Sequence, residues 1–242
     1  MILRGRTIGG YTVCSRIGGG RYGVCYLAED PSGGQVVLKR FRRRMFRKNR
    51  ERNHHEAVIL SSLEHPAIPA LLGVLNHRLG YFFVLEYQPG VSLEQLLFRQ
   101  KHVFTDQEIL RIGSQLWEAL CYLHRLGIVH RDISIANVLD DGAHISLLDF
   151  GLARRMDMVP PSETVSPALD YACIGNLLLY LLYSGRRSKP GTGREPWYRQ
   201  LSLPAAQIHY LKRLLGLEPA FLCTEEAAGQ FRECFGGFSC SQ

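Results

Sequence analysis

A Gln88-Pro89-Gly90 breaker divides the chain into two stretches of opposite character. Before it lie short runs rich in Val, Ile and Tyr between turn-forming residues, a pattern typical of β-strands. After it, apolar residues recur at helical spacing, beginning with the capping box Thr105-Asp106-Gln107-Glu108. Strands first and helices second, with a hinge between them, predict an α+β protein in two lobes.

The individual elements are predicted from apolar periodicity, capping residues and breakers. Before the breaker we predict strands at Tyr11–Ile17, Val24–Glu29, Gln35–Phe41, Leu71–Asn76 and Tyr81–Tyr87, with one helix from about Arg47 to Leu63. After it we predict a helix from Thr105 that ends before Gly127, short strands at Val138–Leu139 and His144–Leu148, and helices at about Leu169–Tyr183, Ala206–Leu217 and Thr224–Cys234.

The net charge of +7 is concentrated in one segment. Lys39–Arg52 holds nine Lys or Arg and one acid, a net of +8, and the remaining 228 residues sum to −1. A purely nucleic-acid-binding protein is disfavoured, because that interpretation would rest on this basic run alone. A solvated helix face is the simplest interpretation of the segment; the alternative is a docking site for an acidic partner or an anionic surface.

The cysteines and the apolar runs indicate a reducing, cytoplasmic setting. The seven cysteines are an odd number without C-x-x-C pairs or zinc-type spacing. The N-terminus shows no signal-peptide core. The longest apolar run, Ile174–Tyr183, falls far short of the roughly 20 residues that a transmembrane segment needs.

The first chemical motif is the glycine loop Gly18-Gly19-Gly20-Arg21-Tyr22-Gly23, a G-x-G-x-x-G pattern. In a dinucleotide-binding fold the last glycine opens a helix. Here a strand pattern, Val24–Ala28, follows it. The loop is therefore predicted to be a β-hairpin flap whose backbone amides can cover phosphates. A simple tight turn, which can have the same sequence pattern, is the alternative.

The second motif is Lys39 at the end of the apolar strand Val36–Leu38. A half-buried ammonium needs an anionic partner. Glu56 on the following helix is the candidate, and such a pair would hold the ammonium against triphosphate oxygens. If Lys39 is considered alone, the simpler interpretation is a lysine at an exposed strand end.

The third and fourth motifs are His130-Arg131-Asp132-Ile133-Ser134-Ile135-Ala136-Asn137 and Asp149-Phe150-Gly151, which begins 17 residues after Asp132. The oxygens of Asp132, Asn137 and Asp149 can converge if a short hairpin separates them. Such hard ligands suit Mg²⁺ bound to phosphates. Phosphoryl transfer asks for this combination of positioning and charge neutralisation.

Together these motifs resemble a eukaryotic-like (Hanks-type) serine/threonine protein kinase, and the small, soluble, single-domain kinases of bacteria in particular. The similarity runs from about Tyr11 to Phe231. It implies one kinase domain over 1–242, with an N-lobe at 1–87, a hinge at 85–90 and a C-lobe at 89–242. It also implies ATP as the nucleotide, Mg²⁺ or Mn²⁺ as the metal, and a protein substrate that the sequence does not name.

The resemblance assigns roles residue by residue. Asp132 resembles the catalytic base, Lys39 and Glu56 the phosphate-holding pair, and Asn137 and Asp149 the metal ligands. Asp170 and Gly175 match the start of the helix that anchors the catalytic loop. The nucleotide-binding positions implied are Ile17, Gly18, Gly19, Gly20, Arg21, Tyr22, Gly23, Val24, Cys25, Val37, Lys39, Glu86 and Gln88, with Leu85 as gatekeeper.

The chain also departs from the family pattern. Cys25 and Val37 stand where Val and Ala are usual, and Ser134 replaces the lysine usual in serine/threonine kinases. Asp170 comes only 21 positions after Asp149, and no Ala-Pro-Glu motif occurs between them. Ser162, Thr164 and Ser166 are candidate autophosphorylation sites or ordinary loop residues, the second being favoured.

The shortened segment keeps two alternatives to an active protein kinase open. One is a pseudokinase that serves as a nucleotide-binding scaffold. The other is a small-molecule kinase on the same fold. The complete set of motif residues favours the active protein kinase over both.

Overall fold

The structure, a computed structural model, describes residues 4–19, 23–42, 50–158, 165–185 and 195–237, with the backbone alone for residues 50–54. The chain forms two compact units. Unit 1 comprises Met1–Pro89 and Phe150–Leu152, and unit 2 comprises Gly90–Asp149 and Ala153–Gln242. Among the described helices, none combines the length and apolar character needed to cross a membrane.

Unit 1 is built on one antiparallel sheet with the strand order β1-β2-β3-β4-β6-β5. Its elements are β1 (Thr7–Ile8), β2 (Tyr11–Gly19), β3 (Gly23–Glu29), β4 (Gln35–Phe41), α1 (Arg50–Ser61), β5 (Leu71–His77) and β6 (Gly80–Glu86). Alternate residues of these strands point to one face and form a buried cluster, as period-2 patterning dictates. The cluster is made of Ile8, Val13, Tyr26, Ala28, Val36, Leu38, Phe82 and Val84.

A short segment from the middle of the chain completes unit 1. Phe150–Leu152 forms a single 3-10 turn that packs against α1. Phe150 is 1% exposed. Because Asp149 belongs to unit 2, the Asp-Phe-Gly motif is divided between the units after its first residue.

Unit 2 is mainly helical and carries a three-stranded sheet and a two-stranded sheet. Its elements are β7 (Val91–Ser92), α2 (Leu93–Phe98), α3 (Asp106–Arg125), β8 (Ile128–Val129), β9 (Val138–Asp140), β10 (Ile145–Leu147), β11 (Arg154–Arg155), α4 (Ala168–Ser184), α5 (Trp197–Gln200), α6 (Ala205–Leu214) and α7 (Thr224–Gly236). The strand orders of the two sheets are β10-β9-β7 and β11-β8. The long helix α3 packs against α4 and α7 through a continuous apolar face. The predicted capping box is confirmed: the Glu108 amide donates to Thr105 Oγ1, and the Glu108 carboxylate accepts from the Thr105 amide.

Helix α6 ends three residues earlier than predicted. Gly216 has a φ of +70°, which glycine adopts without strain. Its amide donates to the Arg213 carbonyl, and the Leu217 amide donates to the Lys212 carbonyl. These two hydrogen bonds form a Schellman motif, which terminates the helix before Leu217.

The contact between α3 and α7 is tight at one glycine. A Cβ on Gly113 would lie 2.2 Å from Cζ of the fully buried Phe231. We expect Gly113→Ala to lower the free energy of unfolding by about 1–3 kcal/mol, because the fully buried ring would have to shift to make room for the added methyl group. Urea unfolding measures this change.

Gly229→Ala on α7 is the matched control. Nothing lies within 4 Å of the Cβ that it would add. We expect this variant to raise the free energy of unfolding by up to about 1 kcal/mol, the helix preference of alanine over glycine. Stabilisation by both substitutions would contradict the close packing at Gly113.

Candidate active site

In unit 1, Lys39 and Glu56 form a buried ion pair. Lys39 Nζ on β4 lies 2.6 Å from Glu56 Oε1 on α1, and the two side chains are 11% and 4% exposed. The ammonium also lies 5.7 Å from the centre of the Phe41 ring. A charge removed from water to this extent is stable in a fold only when it is paired, so the two side chains depend on each other.

The glycine loop connects β2 and β3 of the same unit. Gly18 pairs with Cys25 and Gly19 with Val24, so the hairpin continues to the edge of the described range. Gly20, Arg21 and Tyr22 lie outside the described residues. A Cβ on Gly23 would meet the Arg40 carbonyl oxygen at 2.5 Å, so the last glycine of the motif is required by the close approach of β4.

The remaining nucleotide-binding candidates of unit 1 lie on β2, β3, β4 and β6 and just beyond β6. Val37 pairs with Leu27 on one side and with Leu85 on the other. The Glu86 amide donates to the Ala70 carbonyl at 2.9 Å, and a Glu86 carboxylate oxygen accepts from the Ala70 amide at 3.1 Å. The Glu86 N–H is thus already hydrogen-bonded within the unit. At this residue an adenine base could therefore form a hydrogen bond only with the backbone carbonyl oxygen.

In unit 2, Asp170 at the start of α4 holds the backbone of the His130–Asn137 loop. Its Oδ2 accepts from the His130 amide at 2.8 Å, and its Oδ1 accepts from the Arg131 amide at 2.6 Å. Asp170 is fully buried, and Arg131 has a φ of +70°. A non-glycine residue in this conformation is strained by about 1–3 kcal/mol, and the two bonds to the carboxylate maintain it.

The His130 side chain supports the loop from inside. It is completely buried, and its Nδ1 accepts from the Asp132 amide at 3.2 Å. Burial lowers the pKa of His130 below its ordinary value of 6.5 because it penalises the charged form, although Asp170, Asp132 and Asp149 oppose the shift. The ring therefore serves as a neutral spacer that fixes the turn before Asp132.

Asp132, Asn137 and Asp149 are brought together by the β9–β10 hairpin. Asn137 Nδ2 donates to the Asp132 carbonyl at 2.9 Å and to Asp132 Oδ2 at 3.1 Å. The Leu148 amide donates to the Asn137 carbonyl at 2.7 Å, which places the residue before Asp149 beside Asn137. Asp149 has a φ of +64°, a second left-handed residue in the same region.

The donor set at Asn137 and Asp149 fits a hard divalent cation. Asn137 directs its amide nitrogen to Asp132, so the amide oxygen is the atom that it would offer to a metal. Across the described ranges, no cluster of three or more His, Cys, Asp or Glu side chains is arranged to hold a metal ion. A cation here would complete its coordination with phosphate and water, as Mg²⁺ commonly does.

Two groups of predicted residues fall partly outside the described chain. Of the candidate phosphorylation sites, Ser162 and Thr164 lie outside it, and Ser166 Oγ accepts from the Ala168 amide at 3.2 Å beside α4. Residues 43–49 of the basic segment also lie outside it. A further residue of the site was not predicted from the sequence: His124 on α3, whose Nε2 lies 3.0 Å from Oδ2 of Asp170, the residue that holds the His130–Asn137 loop.

A glycine hairpin beside a paired strand lysine, together with an Asp–Asn–Asp set on a braced loop, defines the class of nucleotide-dependent phosphotransferases. Comparison with known proteins narrows this class. The profile of the protein kinase domain family matches residues 11–173. The chain therefore belongs to the protein kinase family, and the predicted α+β kinase fold is confirmed.

The chain is also similar to individual curated kinases. It is 34% identical over 218 residues to the probable serine/threonine-protein kinase YbdM of Bacillus subtilis, covering 87% of this chain and 84% of that protein. It is 28% identical over 202 residues to the serine/threonine-protein kinase MAK of Mus musculus, covering 75% of this chain and 32% of that protein. It is 27% identical over 194 residues to the smooth muscle myosin light chain kinase of Gallus gallus, covering 72% of this chain and 10% of that protein.

Membership of the family fixes the general chemistry. The chain uses ATP with a divalent metal and acts on proteins. The particular metal, the residue roles and the setting are proposals.

Proposed function

We propose that this chain is an active serine/threonine protein kinase that transfers the γ-phosphate of ATP to hydroxyls of proteins, itself included. The observation that carries the proposal is the braced Asp132 carboxylate, with Asn137 Nδ2 3.1 Å from its Oδ2 and the loop backbone bonded to Asp170. Catalysis of phosphoryl transfer rests mainly on such positioning. Two relatives that carry serine/threonine kinase names support the choice of acceptor.

Asp132 is the proposed catalytic base. Its carboxylate would accept the proton of the attacking hydroxyl, while Asn137 fixes one carboxylate oxygen and so orients the other. Because Ser134 replaces a lysine at this loop, the chain has no ammonium two residues after the base. The negative charge of the transferred phosphoryl group would then be neutralised by Lys39 and by the metal.

Asn137 and Asp149 are the proposed metal ligands, with Mg²⁺ favoured over Mn²⁺. A metal held by these two side chains would supply positive charge against the phosphate oxygens. Lys39 would hold the phosphates with an ammonium that Glu56 keeps in place. The glycine loop from Ile17 to Cys25, with Val37, Glu86 and Gln88, would take the rest of the nucleotide.

We propose a reducing, cytoplasmic setting and keep the acidic-partner hypothesis for Lys39–Arg52. The setting is supported by the cysteines: none of those in the described part of the chain forms a disulfide, namely Cys14, Cys25, Cys121, Cys173, Cys223 and Cys234. The partner hypothesis has no structural support, since residues 43–49 lie outside the described ranges and residues 50–52 are described by their backbone alone.

One experiment tests the proposed activity. Purified protein is incubated with γ-labelled ATP and Mg²⁺, alone and with a generic protein substrate. We expect label on Ser or Thr, and a rate at least about 100-fold lower for Asp132→Ala, because a positioned base contributes that much or more.

Asp106→Ala is the control, since it removes an exposed carboxylate from the first turn of α3. It is expected to retain the activity. Nucleotide binding without transfer would replace the proposal with the pseudokinase. Label on added metabolites alone would replace it with the small-molecule kinase.

A further inference from the structure

Thr224 is a buried polar residue to which the proposed phosphotransfer roles give no part. It is the first residue of α7 and is 5% exposed. Its Oγ1 lies 2.7 Å from His124 Nδ1 on α3 and 2.9 Å from the Tyr171 hydroxyl on α4. One hydroxyl thus joins three helices of unit 2.

His124 extends this contact to the catalytic loop. Its second ring nitrogen, Nε2, lies 3.0 Å from Asp170 Oδ2, the oxygen that also accepts from the His130 amide. The other oxygen of Asp170 accepts from the strained Arg131. A continuous series of hydrogen bonds therefore runs from α7 to the residues just before Asp132.

The direction of these bonds explains why a hydroxyl is needed at position 224. An ionised carboxylate is an acceptor alone, so His124 Nε2–H must donate to Asp170. The opposite nitrogen, Nδ1, contacts the Thr224 hydroxyl, which can hydrogen-bond to the ring and to the Tyr171 hydroxyl at the same time because it both donates and accepts. Valine, which has nearly the shape of threonine, can neither donate nor accept at this point.

His124 in turn fixes the orientation of the Asp170 carboxylate. Three donors converge on its two oxygens: His124 Nε2, the His130 amide and the Arg131 amide. If the imidazole is released, Oδ2 loses one of its two donors and the carboxylate can turn about its side-chain bonds. The strained conformation at Arg131 then loses part of its support, and Asp132 follows one residue later.

We propose that Thr224 is a positioning residue for phosphotransfer: through His124 and Asp170 it sets the catalytic loop, so α7 contributes to turnover as well as to packing. The inference rests on the proposed kinase activity of this chain. It assigns to the C-terminal helix an effect on kcat at a site that Thr224 does not itself touch.

The test compares three variants at a temperature well below their melting points. Thr224→Val is expected to lower kcat about tenfold, because misplacement by a fraction of an ångström has effects of this size. KM for ATP is expected to stay unchanged, since the proposed phosphate-holding residues belong to unit 1. Thr224→Ser, which restores the hydroxyl, is expected to restore kcat.

Phe231→Leu is the matched packing control. It weakens the contact of α7 with α3 without removing any hydrogen bond of the series. We expect it to lower the melting temperature and leave kcat unchanged. An equal loss of kcat in Phe231→Leu, or no recovery in Thr224→Ser, would reduce Thr224 to a packing residue and overturn the proposal.

Hydrogen exchange separates this inference from the activity itself. The His130 and Arg131 amides are expected to exchange about tenfold faster in Thr224→Val than in Phe231→Leu, because the variant loosens their acceptor. Equal exchange in the two variants would overturn the inference even if the enzyme turns over. Faster exchange in a protein without any turnover would uphold the positioning and reject the kinase activity.

Discussion

Asp170→Asn is expected to lower kcat at least about 100-fold, because misplacing a catalytic loop by about 1 Å has effects of that size. The carboxylate accepts three hydrogen bonds from inside the fold, two from the backbone of His130 and Arg131 and one from His124. An asparagine keeps one acceptor oxygen and turns an NH₂ group towards the remaining donors. At least one buried donor then has no acceptor.

The same substitution is expected to lower the free energy of unfolding by about 1–3 kcal/mol for each donor left unsatisfied. Phosphotransfer kinetics and urea unfolding measure the two effects. Asp140→Asn is the matched control, because Asp140 is also a buried carboxylate of unit 2, 2.8 Å from Arg111 and bonded to the Gly142 amide. It is expected to lose stability and keep kcat. If the two variants lose kcat equally, Asp170 does not position the loop specifically.

Glu56→Met and Lys39→Met are each expected to abolish measurable phosphotransfer and to destabilise the fold by about 3–5 kcal/mol, the cost of removing one partner of a buried ion pair. The pair is largely shielded from water, so solvent screening discounts this figure little. Either change leaves a charge on β4 or α1 without the partner now 2.6 Å away.

The double variant separates stability from chemistry. With both charges replaced by apolar side chains of similar length, we expect the free energy of unfolding to return close to its original value. Activity is expected to remain absent, because no ammonium is left for the phosphates. A double variant as unstable as the single ones, or one that turns over, would contradict this account of Lys39 and Glu56.

Local patterns predicted most of the regular elements. Strand β4, Gln35–Phe41, has the predicted bounds, and the capping box at Thr105 forms as its four residues require. Both are fixed by neighbours in sequence, since strand alternation and helix capping act over a few residues. The predicted ends at Leu217 and Cys234 were wrong by three and two residues: the Schellman motif at Gly216 ends α6 at Leu214, and α7 continues to Gly236.

Elements that depend on distant partners were not predicted. Helix α2, Leu93–Phe98, is too short to show a helical period. The two-residue strands β8 and β11 exist because Arg154 pairs with Val129 across the fold. No local signal distinguishes such strands from loop.

The candidate site divides in the same way. Residues with motif spacing, such as Asp132, Asn137 and Asp149, could be named from the sequence because phosphoryl transfer demands those groups in that order. His124 and Thr224 could not, since a lone histidine in a helix and a threonine at a helix start are ordinary features. Their importance comes from the packing of α3, α4 and α7, which brings together residues 46 and 100 positions apart.

Because Phe150–Leu152 belongs to unit 1, the protein cannot be split at one point of the sequence into two polypeptides that each hold a complete unit. The breaker at residues 88–90 looks like a natural place to split the protein into two polypeptides. A fragment ending at Pro89 would, however, lack the Phe150 ring that packs against α1. The second fragment would carry that ring with no helix to receive it. We therefore expect neither fragment to be an autonomous module, and activity to return only when the two fragments reassemble.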